Sequence, residues 1–312
     1  VLMLGDNIYG GLFGRGGGHK KDFEKKFDRP YAALLERGVR FRAALGNHDD
    51  AHRHGQDEID SYERFHIDGP LGYYSFTSGQ WTQEEDEPRP LVEFFVLNTN
   101  RIEKDKRDPE QLAWLEQALA ASRARWRIVY GHHPLYASAR AHGGDVRLRE
   151  KLLPLLLAPS SPPSLSPVAP ATGSGSSNPP EAGALRPRSG HASGLGVESG
   201  GKPRVHVVLA GHDHIYQRFK PQNGIIYFVC GSSGKLRRGN ARPGSQVAAA
   251  NDRERAFMLW EATASELRFR AINERGQAFD CGMIRPNGAA ETVACSAAVT
   301  LRRQSAGPPR HP

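Results

Sequence analysis

Five short apolar runs, each stopping abruptly at a cluster of glycine and polar side chains, constrain this chain more than any other feature. "VLML" (1–4) ends at Gly5-Asp6-Asn7, "VRFRAAL" (39–45) at Gly46-Asn47-His48-Asp49 and "VEFFVLNT" (92–99) at Asn100. "WRIVY" (126–130) ends at Gly131-His132-His133, and "VHVVLA" (205–210) at Gly211-His212-Asp213-His214. Such runs have the pattern of strands buried on both faces. Helical stretches lie between them. "DFEKKFDRPYAALLER" (22–37) carries a stripe of Phe23, Phe27, Tyr31, Leu34 and Leu35, with a bend expected at Pro30. "DPEQLAWLEQALAASRARW" has Asp108 as N-cap, Pro109 in the first turn and Leu112, Leu115 and Leu119 as its buried face. "DVRLREKLLPLLLA" (145–158) is a third helix. Towards the end, "GIIYFVCG", "RAFMLWEAT", "ELRFRAIN" and "AFDCGMI" read as antiparallel strands, with a hairpin turn at Gly276. A layered α/β architecture follows, alternating first and meandering later.

Two stretches stand outside this pattern. Residues 158–203 are Pro, Ser, Gly and Ala with few bulky apolar side chains, too little to offset ordering entropy, and read as a disordered insertion. They also account for part of the low apolar fraction, 38%. Residues 286–312 read as a flexible tail. The remainder, 1–157 with 204–285, suits one domain of roughly 240 residues. The chain carries 42 Lys+Arg against 34 Asp+Glu, a net charge of +8, scattered except for short groups such as "KLRR" at 235–238. This is a solvated surface that favours anionic substrates rather than a patch specific for nucleic acid. No run approaches the roughly 20 apolar residues of a membrane span. The cysteines (Cys230, Cys281, Cys295) have no metal-site spacing and leave the compartment open.

Polar clusters at the carboxyl ends of neighbouring strands converge on one crevice. Those here bring Asp6 and Tyr9, Asn47 and His48, His132 and His133, and His212 with His214, nearly all oxygen and nitrogen donors suited to a transition metal. Taken singly, Asp6 and the Gly46–Asp49 segment are equally well read as turns, and His132-His133 as a satisfied pair. In the HxH segment an extended backbone points both imidazoles to one side. It is the conjunction of four clusters, each after an apolar strand, that favours a metal site.

"GDN", "GNHD", "GHHP" and "GHDH" in this order resemble the motif set of the calcineurin-like metallophosphoesterases. "GDNIY" and "HG" at 142–143 further resemble the compact purple acid phosphatases. The resemblance covers about residues 1–157 and 204–284. It implies a four-layer αββα sandwich and a phosphoric ester hydrolase of acid phosphatase type, acting on a small phosphorylated substrate through a metal-bound hydroxide. A phosphodiesterase or nucleotidase, or a catalytically impaired metal-binding fragment, are the alternatives. The resemblance implies two metal ions, Fe(III) with Fe(II), Zn(II) or Mn(II). Asp6 would bridge them, Tyr9 and His214 would hold the first, and Asn47, His132 and His212 the second. His48 and His142 are the candidate proton donors to the leaving group, and a solvated loop histidine is the other reading of His142. Asp49 and Asp213 would orient loops or imidazoles, and "GGLFGRGGG" (10–18) would be a flexible loop over the site. The family has a further motif, before its second strand, whose aspartate binds the first metal. Only five residues precede Asp6, so the sandwich is expected to be incomplete at the N-terminus and the first metal to lack one ligand. Family acid phosphatases are often exported; oligomeric state is not legible.

Overall fold

The computed structural model describes residues 1–9, 22–51, 54–83, 87–157 and 203–295. Its strands are β1 (Leu2–Leu4), β2 (Arg42–Ala44), β3 (Tyr74–Trp81), β4 (Arg89–Val96), β5 (Trp126–Gly131), β6 (Val207–Ala210) and β7 (Tyr216–Phe219). β8 (Ile226–Cys230), β9 (Val247–Asn251), β10 (Ala256–Ala262), β11 (Leu267–Asn273), β12 (Ala278–Ile284) and β13 (Ala290–Thr292) follow. The helices are α1 (Arg29–Leu35), α2 (Asn47–Ala51), α3 (His54–Asp60), α4 (Tyr62–Phe65), α5 (Pro109–Ala121) and α6 (Val146–Leu157).

A seven-stranded sheet runs in the order β3-β4-β5-β6-β8-β7-β9. Its centre, β4 through β6 to β8, is parallel, and β3, β7 and β9 pair antiparallel. One face packs on α5 and α6, through Leu115, Leu119, Leu148, Leu152 and Leu156. The other packs on the parallel pair β1–β2 and on the antiparallel sheet β10-β11-β12-β13, with Trp126, Phe228 and Phe269 fully buried between the layers. Phe23, Phe27, Phe41 and Phe65 continue that core beneath the N-terminal helices. Each such side chain contributes about 1.5–3 kcal/mol when taken out of water. The result is an αββα sandwich. No helix among the described residues is long and apolar enough to cross a membrane.

Several expectations need correction. "GIIYFVCG" lies inside the large sheet as β8, parallel to β6, so the closing meander is β10 to β13 only. The 22–37 helix is a π-helical turn over Glu24–Asp28 leading into α1, whose first turn accommodates Pro30. Leu34, placed on its buried stripe, is 38% exposed. Within the stretch read as tail from 286, Ala290–Thr292 pairs with β12, and Cys295 is disulfide-bonded to Cys281. Most of the 158–203 segment, the 10–18 loop and everything after 295 lie outside the described residues. Pro203 is described, and the Arg204 N–H donates to the Leu156 carbonyl, 2.9 Å away.

Candidate metal centre

The four metal-motif strands belong to two different sheets rather than one. β1 and β2 pair with each other, Leu4 opposite Ala44; β5 and β6 pair with each other, Gly131 opposite Ala210. The carboxyl ends of both pairs face one another. The His132 imidazole bridges them, its Nδ1 2.9 Å from the Leu4 carbonyl. The Gly211 N–H closes the other side on the His132 carbonyl at 3.0 Å. Glycine is required where these ends crowd: a Cβ on Gly5, which has φ +84°, would lie 2.6 Å from His132 Nδ1. Asp6 and His212 themselves sit at φ 54° and 63°, a left-handed backbone that costs non-glycine residues of order 1 kcal/mol or more. These two motif side chains are therefore aimed by strained turns.

Three donor atoms meet in one gap. Asn47 Oδ1, His132 Nε2 and His212 Nδ1 are each 3.1 Å from the other two. Asp6 Oδ1 is 3.3 Å from His132 Nε2 and accepts the His48 N–H at 2.9 Å. The other Asp6 oxygen faces away from this group: Oδ2 accepts the Tyr9 hydroxyl at 2.9 Å, and the same hydroxyl is 3.0 Å from His214 Nε2. Asp6 thus has one oxygen on each of two donor groups. The Leu4 carbonyl takes the Nδ1–H of His132, which leaves Nε2 facing the gap. Acceptor atoms this close repel unless a proton or a cation lies between them. Donors around a cation at about 2.1 Å stand about 3.0–3.4 Å apart, the spacing found here.

Charge distribution agrees with this. Burial opposes the Asp6 carboxylate, but His132, the His48 N–H and the Tyr9 hydroxyl outweigh it and hold Asp6 well below the usual carboxylate range. Burial also opposes a charged His132, yet Asp6 pulls its pKa upward. Burial, then the charge of His132, pushes His212 down to about 3; burial, then Lys235 and Arg237, pushes His214 down to about 4. Both are neutral imidazoles, the form that ligates metal. Burial and the Asp6 charge raise the Tyr9 phenol, so only a strongly positive neighbour would ionise it.

His48 lies against Tyr9, ring centroids 4.6 Å apart. His142 is exposed, with its ring 4.3 Å from that of His212. It lines a cavity of about 450 Å³ with Glu103, Lys104, His133 and Arg147. Asp213 is fully buried and accepts the Gly143 N–H at 3.2 Å, tying the His142 loop down. Asp49, also fully buried, accepts the N–H groups of Gly46 (2.8 Å), Asn7 (3.2 Å) and Ile8 (3.2 Å), clamping two motif loops together. Burial pushes its carboxyl up to about 6.

Three supporting residues escaped sequence reasoning. Glu58 is buried and accepts from Asn7 Nδ2 at 2.8 Å. Thr99 and Glu103 flank His133: Thr99 Oγ1 is 2.9 Å from Nδ1, and Glu103 Oε2 is 3.3 Å from Nε2. His133 shares a triangle with His132 and His212 in which one nitrogen of each lies within 4.8 Å of the others. Burial pushes it down to about 2, and its Nε2–H is directed at Glu103. Nothing in their local sequence marks Glu58, Thr99 or Glu103 as buried.

The sequence model of the calcineurin-like phosphoesterases matches residues 1–216. The chain belongs to that family. Its curated relatives include Purple acid phosphatase 17 of Arabidopsis thaliana, 32% identical over 176 residues, which are 50% of this chain and 48% of that protein. Tartrate-resistant acid phosphatase type 5 of Rattus norvegicus is 27% identical over 249 residues, 74% of this chain and 60% of that protein. This phosphoesterase chain spans about half the length of the first of these relatives. Among solved structures, GAP50, the anchor in the inner membrane complex of Plasmodium, superposes with a TM-score of 0.54 at 14% identity, covering 96% of this chain and 79% of its own. The purple acid phosphatase PPD1 from yellow lupin seeds gives a TM-score of 0.50 at 16% identity, covering 83% of this chain and 43% of its own. These two likenesses show the fold. Family membership implies a binuclear metal centre, and the convergent donors fit one.

Proposed function

We propose that this phosphoesterase hydrolyses small phosphate monoesters as an acid phosphatase-like enzyme with two cations. The observation that carries the reading is the division of Asp6: one oxygen faces the Asn47–His132–His212 gap, the other Tyr9 and His214. Asn47, His132 and His212 would hold one cation, Tyr9 and His214 the other, and Asp6 both. When bound, the cations would supply Lewis acidity, drawing in phosphoryl oxygens and lowering the pKa of water. A phenolate at Tyr9 favours Fe(III) in the first position, with Fe(II), Zn(II) or Mn(II) in the second.

The chain's own groups do the rest. The strained turns at Asp6 and His212 fix donor positions in advance, so little reorganisation is needed as charge develops. His48, held by its backbone N–H to Asp6, is the proposed proton donor to the leaving oxygen. His142 is the second candidate and stands on the cavity side. We read 1–157 with 204–285 as one domain, extended by β13 and the disulfide, with 158–203 as an insertion. The Cys281–Cys295 bond suits an oxidising compartment and supports an exported protein.

A second reading, a metal-binding chain with little turnover, draws on the Tyr9 group, which gathers three donors among the described residues: Asp6, Tyr9 and His214. Hydrolysis of p-nitrophenyl phosphate against bis(p-nitrophenyl) phosphate, with metal analysis, separates the readings. Monoester turnover is expected. Preference for the bis-ester would make the chain a phosphodiesterase, and bound metal without turnover of either would establish the second reading. Tyr9→Phe is expected to remove the visible absorption of a phenolate–Fe(III) centre, and a band that survives would remove Tyr9 from the ligand set.

A further inference from the structure

The two sides of the site's mouth differ in how their positive charge is compensated. On the cavity side, Lys104 is 3.4 Å from Glu103 and Arg147 is paired with Asp105. On the other side runs the exposed loop containing Lys235, Arg237 and Arg238. No carboxylate lies within ion-pair distance of these three among the described residues. The loop is pinned to the site. Lys235 Nζ stands 4.8 Å from the Tyr9 ring centroid, and the Arg237 N–H donates to the His214 carbonyl at 3.0 Å. Its far end is fixed to the His142 loop. Asn240 accepts there from the Arg140 N–H at its carbonyl (2.8 Å) and from the Ala141 N–H at Oδ1 (2.8 Å), and Ala139 bridges Ala241. A loop held at both ends keeps three cations without a carboxylate partner beside Tyr9 and His214, Lys235 resting over the Tyr9 ring.

We propose that the Lys235–Arg238 loop recognises the leaving group, selecting phosphate monoesters that carry a second phosphate or comparable anionic group. The inference rests on the phosphomonoesterase reading and names its substrate class. With one phosphoryl group at the metal centre, the loop beside Tyr9 and His214 would offer a second anion on the same small molecule charge-assisted hydrogen bonds from cations that no carboxylate occupies. The cavity side offers no such surplus, because Glu103 and Asp105 already occupy its cations.

The test compares fructose 1,6-bisphosphate with fructose 6-phosphate on the full metal-loaded chain. The bisphosphate is expected to have a kcat/KM about tenfold or more higher at low salt, the advantage shrinking as salt screens it. In a Lys235→Ala/Arg237→Ala/Arg238→Ala variant the ratio of the two kcat/KM values should fall towards one, and Glu at the same positions should invert it. Arg238→Ala alone should lower the ratio in the same direction. A ratio unchanged in all of these overturns the proposal. If neither sugar phosphate nor p-nitrophenyl phosphate is hydrolysed, the phosphatase reading fails on its own. The loop is then judged by equilibrium binding of fructose 1,6-bisphosphate: a loss of about tenfold in the triple variant supports it, and equal affinity overturns it.

Discussion

Asn47 has no charge of its own, yet its amide oxygen touches both imidazoles of the gap. Removing it leaves two ring nitrogens 3.1 Å apart with one neutral donor fewer. Asn47→Ala is therefore expected to lower metal content to about one ion per chain and kcat/KM by about 100-fold or more, read by elemental analysis and p-nitrophenyl phosphate turnover. Unchanged metal content would show that the amide is not a ligand. Asn47 alone reads equally well as a turn residue; it became a candidate through the conjunction of four polar clusters, each after an apolar strand, which also picks out Asp6, His132, His212 and His214. Glu58 and Glu103 were not. Each lies in a charged stretch that reads as solvated surface, and only the folded chain reveals Glu58 against Asn7 and Glu103 against His133.

At the scale of elements, α5 starts where its sequence says it should. Asp108 Oδ1 accepts the Gln111 N–H at 3.1 Å, and the Gln111 side chain in turn accepts the Asn98 N–H at 2.9 Å, locking the helix start to the end of β4. Asp108→Ala is expected to cost about 1–2 kcal/mol, measured by denaturant unfolding. The strand β7 shows the opposite case. "YQRF" reads as a polar connection, but Gln217 and Arg218 are buried. Arg218 makes two 2.8 Å bonds to Asp280 on β12, joined by the Tyr216 hydroxyl at 2.7 Å. A buried ion pair between sheets erases the apolar alternation on which strand reading depends. The β9 strand "VAAAN" is hidden differently, by alanines of weak strand preference on a sheet edge.

Leading into β6, His206 accepts the Arg127 N–H at 3.1 Å. Burial, then the Arg127 charge, pushes it down to about 4. Its folded pKa lies below the ordinary 6.5, so between those values the unfolded chain holds a proton the folded one refuses. Stability from this group is complete above pH 6.5 and falls as pH drops towards 4, by about 3 kcal/mol. His206→Gln should flatten that part of the stability–pH curve in urea titrations, and an unaltered slope would reject the assignment.

For the molecule as a whole, the sandwich joins two sheets whose facing ends hold the donors, so donor geometry depends on how the layers pack. The two-sheet origin of the site was not legible, because motif order says which strands carry ligands and not which strands pair. The contact between the Arg204 N–H and the Leu156 carbonyl bears on this packing. The described backbone ends at Leu157 and resumes at Pro203 within hydrogen-bond reach of where it left. Replacing residues 158–202 by a short Gly-Ser linker should preserve turnover and raise stability by about 2 kcal/mol through a shorter closed loop, read by urea unfolding. Loss of turnover would show that the segment serves the site. In topological terms the donor set is assembled from two stretches of chain. Residues 1–157 supply Asp6, Tyr9, Asn47 and His132, and residues 203–295 bring His212 and His214, so a chain severed between them is expected to regain its metal site by reassociation of the halves.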